Sequence, residues 1–215
     1  MIITLANNKG GCTKSTTAVH LCDELTRLGQ RVVLFDIDDD QHTSSFWVNN
    51  SDELTFPAHA MEAVTPVVRP KLEAAFKSKE FDVIVVDCPG TSNQLTLEVL
   101  MLSDIVLIPC QVSNADLKQA DSMLKLTAEA QKLTSGQRPT RVYSFLTRGR
   151  PQGSKLQDII AGALKPTGTL LDSTISERVA VAEATVQLST VFNDPSDGGK
   201  KASAEFRQLF KEVLG

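Results

Sequence analysis

Residues Asn8 to Thr17, N-K-G-G-C-T-K-S-T-T, follow a short apolar run, Met1 to Ala6, that is rich in β-branched residues. After them, Ser15 to Leu28 places Ala18, Leu21, Cys22, Leu25 and Leu28 on one helical stripe. The segment therefore reads as strand, glycine turn and helix, which commits the chain to a layered α/β arrangement at its very start. Such a turn can also hold a triphosphate. Gly10 and Gly11 let the backbone come close, and N–H groups converge at the helix N-terminus. Lys14 is placed to reach the β- and γ-phosphates, and the Ser15 hydroxyl to ligate a bridging Mg²⁺. Against the general pattern G-x-x-x-x-G-K-[ST], the match is incomplete, because Asn8 and Thr13 stand where glycines are expected.

Two further segments end apolar runs in carboxylates. Arg31 to Asp40, R-V-V-L-F-D-I-D-D-D, closes with Asp36, Asp38, Asp39 and Asp40. Charges this dense repel one another, and a bound cation would relieve the repulsion. Phe81 to Gly90, F-D-V-I-V-V-D-C-P-G, contains the continuous apolar stretch Val83 to Val86 expected of a parallel strand buried on both faces. Asp87 at its end can hold Mg²⁺ through the metal's water shell, and Pro89-Gly90 gives a turn able to sense a γ-phosphate.

The string K-G-G-C-T-K-S-T resembles the deviant Walker A box of the ParA/MinD family of ATPases. The D-x-D strand and the strand ending in Asp87 resemble that family's next two motifs. The resemblance implies a P-loop NTPase fold, ATP and Mg²⁺ as ligands, and a sandwich dimer formed on ATP binding. It assigns to Lys9 a crossing to the partner subunit's ATP, and to Gly10, Gly11, Cys12, Thr13, Lys14, Ser15 and Thr16 the phosphate contacts. Ser15, Asp38 and Asp87 are implied at the metal, with Lys9, Lys14 and Asp38 as the catalytic set. The family usually carries D-x-D-P-Q, whereas this chain lacks the proline and reads as one residue longer. The second aspartate is thus open between Asp38 and Asp40, Asp38 lying nearer the strand. Thr147 and Arg148 occupy a position where relatives often have asparagine and arginine near the nucleotide base.

The rest of the chain continues a β/α rhythm, so the sequence predicts a single α/β domain over 1–215 with a mostly parallel sheet covered on both faces. Ile105 to Pro109 and Val142 to Leu146 read as strands. Asn114 to Ser135 reads as a long helix with an Asn cap, and Ser154 to Leu164 and Ser203 to Leu214 also read as helices. Asp194 to Gly199 reads as a loop between. A chain of 215 residues, 41% hydrophobic, can bury a sizeable core. Cys12, Cys22, Cys88 and Cys110 are too dispersed for a zinc site or a disulfide framework. No apolar run approaches the ~20 residues of a membrane span, and the first residues read as a core strand rather than a leader, so a cytoplasmic location is expected.

A net charge of −4 argues against a generally basic nucleic-acid binder. Arg178, Lys200, Lys201, Arg207 and Lys211 nevertheless gather near the end, where small ParA-like proteins bind DNA non-specifically as ATP dimers. Glu205 and Glu212 are interspersed with them, as on an ordinary solvated helix. Phe206, Leu209, Phe210 and Val213 form a helical stripe that packing on the sheet explains more simply than docking on lipid. The resemblance thus implies a nucleoid-associated ATPase switch, stimulated by a ParB-like or centromere-binding adaptor, that drives plasmid or chromosome partition. The same switch acting on a protein cargo, such as a carboxysome or chemoreceptor cluster, is the alternative. A non-hydrolysing nucleotide-binding adaptor, favoured if Thr13 crowds the phosphate loop, is a third.

Overall fold

The computed structural model of the chain describes every residue except Cys12, Ala63, Val64, Ser92, Asn93 and Thr140, and leaves out the side chain of Thr65. Among the described residues the elements are β1 (Ile2–Leu5), α1 (Lys14–Arg27), β2 (Val32–Asp36), α2 (Thr43–Asn49), β3 (Ala58–Ala60), α3 (Thr65–Ser78), β4 (Val83–Asp87) and α4 (Gln94–Leu102). They continue as β5 (Ile105–Gln111), α5 (Asn114–Leu133), β6 (Arg141–Gly149), α6 (Lys155–Leu164), β7 (Leu170–Ser176), α7 (Val179–Val186) and α8 (Asp197–Leu214). The seven strands form one sheet in the order β3-β2-β4-β1-β5-β6-β7, and every pairing is parallel. Strand order reverses around β1, which lies between β4 and β5, so the ligand crevice of such a sheet falls beyond the C-terminal ends of these strands.

Each strand feeds two cores because successive side chains point to opposite faces. Ile3, Leu5, Val83 and Val85 meet α1, α2 and α8 on one face. Ile2, Ala6, Ile84 and Val86 meet α3 to α6 on the other. The α8 stripe of Phe206, Leu209, Phe210 and Val213 is wholly buried, as expected of packing on the sheet. Leu28 departs from the α1 stripe: the helix ends at Arg27, and Leu28 is 64% exposed.

Two helix starts differ from the sequence reading. Ser113, not Asn114, caps α5, its hydroxyl accepting the Asp116 N–H at 3.1 Å. The helix α8 begins at Asp197 rather than Ser203, absorbing the end of the expected loop. Ser196 caps it by accepting the Gly199 N–H at 3.0 Å. Gly199 is required because a Cβ there would lie 2.4 Å from the Asp194 side chain. Of the two glycines that suggested a loop, Gly199 is the one that lets the chain enter the helix tightly.

The acidic residues of α8 also have work on the sheet. Glu205 accepts the Ser176 N–H and hydroxyl, both at 2.9 Å, and Glu212 accepts the Ser173 N–H at 3.2 Å and hydroxyl at 2.7 Å. Both serines belong to the edge strand β7, whose polar backbone would otherwise face solvent or another chain. These glutamates therefore fix α8 to the sheet edge.

His20, on α1, ties that helix to α8 and to the 3-10 turn Val191–Asn193. Its Nδ1 lies 2.7 Å from the Thr16 carbonyl, and its Nε2 accepts the Val191 N–H at 3.2 Å. The ring stacks on Phe206 at 4.2 Å and meets Trp47 edge-on at 5.9 Å. Burial lowers its pKa to about 4, against a smaller opposing effect of the Thr16 carbonyl. The folded state thus resists a proton that the unfolded chain takes up below about pH 6.5. The stability His20 lends is complete above that pH and is lost as pH falls towards 4, by about 2 kcal/mol at pH 5. Urea unfolding of wild type and His20→Gln at pH 7.5 and 5 should show the wild-type advantage shrinking by about that amount.

Candidate functional site

The ends of β1, β2 and β4 lie level, since Leu5 pairs with Asp87 and Asp36 with Asp87 in register. Three loops consequently converge on one cleft of about 480 Å³, lined by Gly10 to Thr16, Asp38 to Gln41, Pro89 to Thr91 and Arg148 among the described residues. Cys12 lies outside the described residues. The loops also touch: a Cβ on Gly90 would stand 3.0 Å from the Gly10 nitrogen, so glycine at 90 lets the β4 loop seat against the phosphate loop.

The phosphate loop is anchored at its entry by Asn7, fully buried, whose Nδ2 donates to the Pro109 carbonyl at 2.6 Å. Further on, the Gln111 side chain donates to the Gly11 carbonyl. Gly11 and Thr13 both adopt positive φ, 74° and 71°. For a β-branched residue this is a strained conformation, costing about 1–2 kcal/mol, and it explains why glycine is the general choice at position 13. Lys14 is almost wholly buried, and its Nζ donates to the Lys9 carbonyl at 3.0 Å, folding the loop around its own ammonium. Ser15 and Thr16 open onto the cleft.

The two strand-end carboxylates are both buried and differ in how they are satisfied. Asp36 accepts the Asp38 N–H at 3.1 Å, the Ser45 N–H at 2.9 Å and the Ser45 hydroxyl at 3.1 Å. Neither oxygen of Asp87 has a partner in hydrogen-bond geometry, although both are buried. Burial, and then the charge of Asp36, push the Asp87 carboxyl up to about 7; the nearby Ser15 hydroxyl, Lys14 and the Ser44 hydroxyl oppose this only in part. Asp38 is half-buried at the cleft wall, while Asp39 and Asp40 are exposed. Burial raises the Asp38 pKa, Lys14 opposes it, and Asp36 and Asp40 add to the rise. The carbonyl of Asp38 accepts the Gln41 and His42 N–H groups, which closes the acidic turn and leads directly into α2.

Lys9 points away from the cleft floor. Its Nζ pairs with Asp116 Oδ2 at 2.7 Å, and Asp116, fully buried, also accepts the Ser113 hydroxyl. The second Asp116 oxygen has no hydrogen-bond partner. Asp116 was not among the residues expected from the sequence; the Ser113-x-x-Asp116 spacing, a capping-box pattern, was the signal available. Nor were Ser44 and Ser45, which carry no motif of their own.

Thr147 and Arg148 part company. Thr147 is fully buried, with an unpartnered hydroxyl, and lines neither cavity; Arg148 borders both the main cleft and an adjoining cavity of about 210 Å³ walled by Ile175, Val181 and Thr185. The late cations do not act alike either. Arg178 pairs with Glu205 at 2.6 Å and is mostly buried, and Arg207 pairs with Glu24 at 3.0 Å and lies over Phe192. Lys200, Lys201 and Lys211 are exposed on α8.

A parallel α/β sheet whose first strand feeds a glycine loop and helix, with the strand-end carboxylate of Asp87 beside the lysine and serine of that loop, defines a P-loop nucleotide-binding protein. Residues 1–150 match the family described as ATPase MipZ, and the chain belongs to that family. It is 30% identical over 131 residues to the virC1 protein of Rhizobium radiobacter, covering 60% of this chain and 56% of that protein. It is 26% identical over 216 residues to the maintenance of carboxysome distribution protein A of Halothiobacillus neapolitanus, covering 99% of this chain and 95% of that protein. Among solved structures, an ATP complex of a McdA variant from Cyanothece superposes with a TM-score of 0.76 at 17% identity, over 100% of this chain and 96% of the other.

Because the folded-state pKa of Asp87 lies above its unfolded value, its charge weakens the ligand-free fold above about pH 7, and the penalty is relieved as pH falls towards 4. In EDTA at pH 8, Asp87→Asn is expected to be more stable than wild type by about 2 kcal/mol, with the gap narrowing as pH falls from about 7 and gone near pH 4. Denaturant unfolding at pH 8 and pH 4.5 checks it.

Proposed function

We propose that this chain is a Mg²⁺-dependent ATP-hydrolysing switch that pairs with a second copy of itself when ATP is bound. The observation that carries the reading is Asp87, a buried carboxylate with both oxygens unpartnered, opposite a glycine loop that ends in Lys14-Ser15. A buried charge without partners is costly and is kept where a cation offsets it. Ser15 and Asp87 would hold Mg²⁺, with Asp38 at its margin, and the ion would neutralise charge on the bridging phosphate oxygens. Gly10, Gly11, Thr13 and Thr16 offer backbone N–H groups at the start of α1. Lys14 exchanges the Lys9 carbonyl for phosphate oxygens, and Asp38 orients the attacking water. Arg148 borders the base, in the cavity beside Ile175, while buried Thr147 acts only behind it.

Lys9 reaches the partner subunit's nucleotide in the dimer. In the single subunit it compensates buried Asp116, so leaving costs that ion pair. Slow turnover follows in the absence of an adaptor, since the water-orienting group is one aspartate and, among the described residues, Arg148 is the arginine that lines the cleft. The dimer binds nucleoid DNA non-specifically, through Lys200, Lys201 and Lys211 rather than through the engaged Arg178 and Arg207. A ParB-like adaptor on the cargo stimulates hydrolysis and resets the cycle, and the whole chain acts as one ATPase domain. Plasmid or chromosome partition is the cargo system we favour. A protein cargo is the second reading, supported by the match along nearly the full length of the carboxysome-distribution relative.

The test combines ATP turnover with molar mass by light scattering. With ATP and Mg²⁺, wild type is expected to turn over slowly and to dimerise, and Lys14→Ala and Asp38→Ala to lose about 100-fold or more in turnover. Asp116→Asn is expected to dimerise at lower protein concentration than wild type. A monomer without turnover under all conditions would leave a nucleotide-binding adaptor instead. For DNA, the double substitution Lys200→Ala, Lys201→Ala should lower affinity about tenfold at low salt and flatten its salt dependence, measured by fluorescence anisotropy on two unrelated duplexes.

A further inference from the structure

The first turn of α2 reaches both strand-end carboxylates with neighbouring serines. Ser45 serves Asp36 through its N–H and hydroxyl. Ser44, the preceding residue, is fully buried, and its hydroxyl has no partner in hydrogen-bond geometry. Asp36 and Asp87 are paired neighbours on β2 and β4, and the Ser44 hydroxyl, one residue from Ser45, lies close enough to Asp87 to hold its carboxyl pKa down in part, though the two are not in hydrogen-bond geometry. A buried hydroxyl this near a buried carboxylate, yet short of hydrogen-bond geometry, leaves both groups incompletely satisfied, and each costs free energy until the contact closes. Ser44 differs in this from the other serines of the site: Ser15 faces the cleft, and Ser45 is already committed to Asp36.

We propose that Ser44 is a positioning residue for Asp87, its hydroxyl engaging the carboxylate when Mg²⁺ and nucleotide fill the cleft, so that the setting of α2 follows the occupancy of the metal site. The inference rests on the function proposed above. It adds a donor that orients the carboxylate from behind, the role that outer partners play at metal sites generally. It also makes α2 responsive: Ser44 lies three residues before Trp47, the only tryptophan of the chain, which is buried against His20. A shift of the first turn of α2 changes the packing around that indole.

Trp47 emission is therefore the readout. Wild type, Ser44→Ala, Ser44→Cys and Ser44→Thr are titrated with Mg²⁺ in the presence of saturating ADP, and nucleotide binding is followed separately by displacement of a fluorescent ADP analogue. Wild type and Ser44→Thr are expected to show an emission change at similar Mg²⁺ concentrations. Ser44→Ala and Ser44→Cys should need about tenfold more Mg²⁺ for half the change. Because the Ser44 hydroxyl is short of hydrogen-bond geometry with Asp87 and its removal leaves no large void, the ligand-free Ser44→Ala variant should remain folded, with urea resistance close to wild type. A loss of Mg²⁺ response in a stably folded variant, restored by threonine, is not what a merely structural serine would give. Wild-type Mg²⁺ dependence in both Ser44→Ala and Ser44→Cys, with normal nucleotide binding, would overturn the inference and leave the function standing. Absence of Mg²⁺-dependent nucleotide binding in wild type would overturn both.

Discussion

Two carboxylates buried side by side at the ends of β2 and β4 set the terms for the rest of the molecule. Asp36 and Asp87 face each other in register, and a pair of like charges in a low-dielectric interior is sustained only by donors or cations. Asp36 has its donors within the chain, from Ser45 and from the backbone of Asp38. Asp87 has none in hydrogen-bond geometry, and its carboxyl is pushed up to about 7 by burial and by Asp36. The sheet thus presents one finished and one unfinished acidic group at the point where its strand order reverses. The glycine loop brings Lys14 and Ser15 to the unfinished one.

The phosphate loop is closed on itself in a similar sense. Lys14 donates to the Lys9 carbonyl, and the Lys9 ammonium pairs with Asp116 at the start of α5. Lys14 thus rests on a neutral carbonyl and Lys9 on a carboxylate, both within the chain. Release of either has a cost fixed by burial: Lys14 and Asp116 are almost wholly enclosed, whereas the Lys9 side chain is 38% exposed and is the one able to leave. The left-handed conformation of Thr13 adds strain at the same loop. Strain at Thr13 and two internally partnered lysines thus lie within one loop.

Much of this was legible in the sequence because it rests on backbone punctuation. The strands ending in Asp36 and Asp87, the glycine turn and the parallel α/β sheet follow from apolar runs and glycines that act locally. The start of α8 was misread because Gly198 and Gly199 signal a loop in isolation, and only contact with Asp194 shows why glycine is needed inside the helix. Ser44 and Ser45 carry no spacing that marks them, because their partners are brought close by the sheet; Asp116 has the Ser113-x-x-Asp116 cap spacing, but its ion pair with Lys9 depends on the fold. The grouping of Arg178 and Arg207 with the late lysines failed for a related reason. Charge counts do not show that Glu205 and Glu24 already hold those arginines.

The central claim is that Asp87 is buried without partners because a cation accompanies the nucleotide. Calorimetric titration of ATP into the protein at pH 8, with Mg²⁺ and again with EDTA, tests it most directly. Mg²⁺ is expected to tighten binding by about tenfold or more, which corresponds to about 1.4 kcal/mol, and that gain is expected to vanish in Asp87→Ala. Equal affinity with and without Mg²⁺, or a Mg²⁺ effect that survives the loss of Asp87, would contradict it.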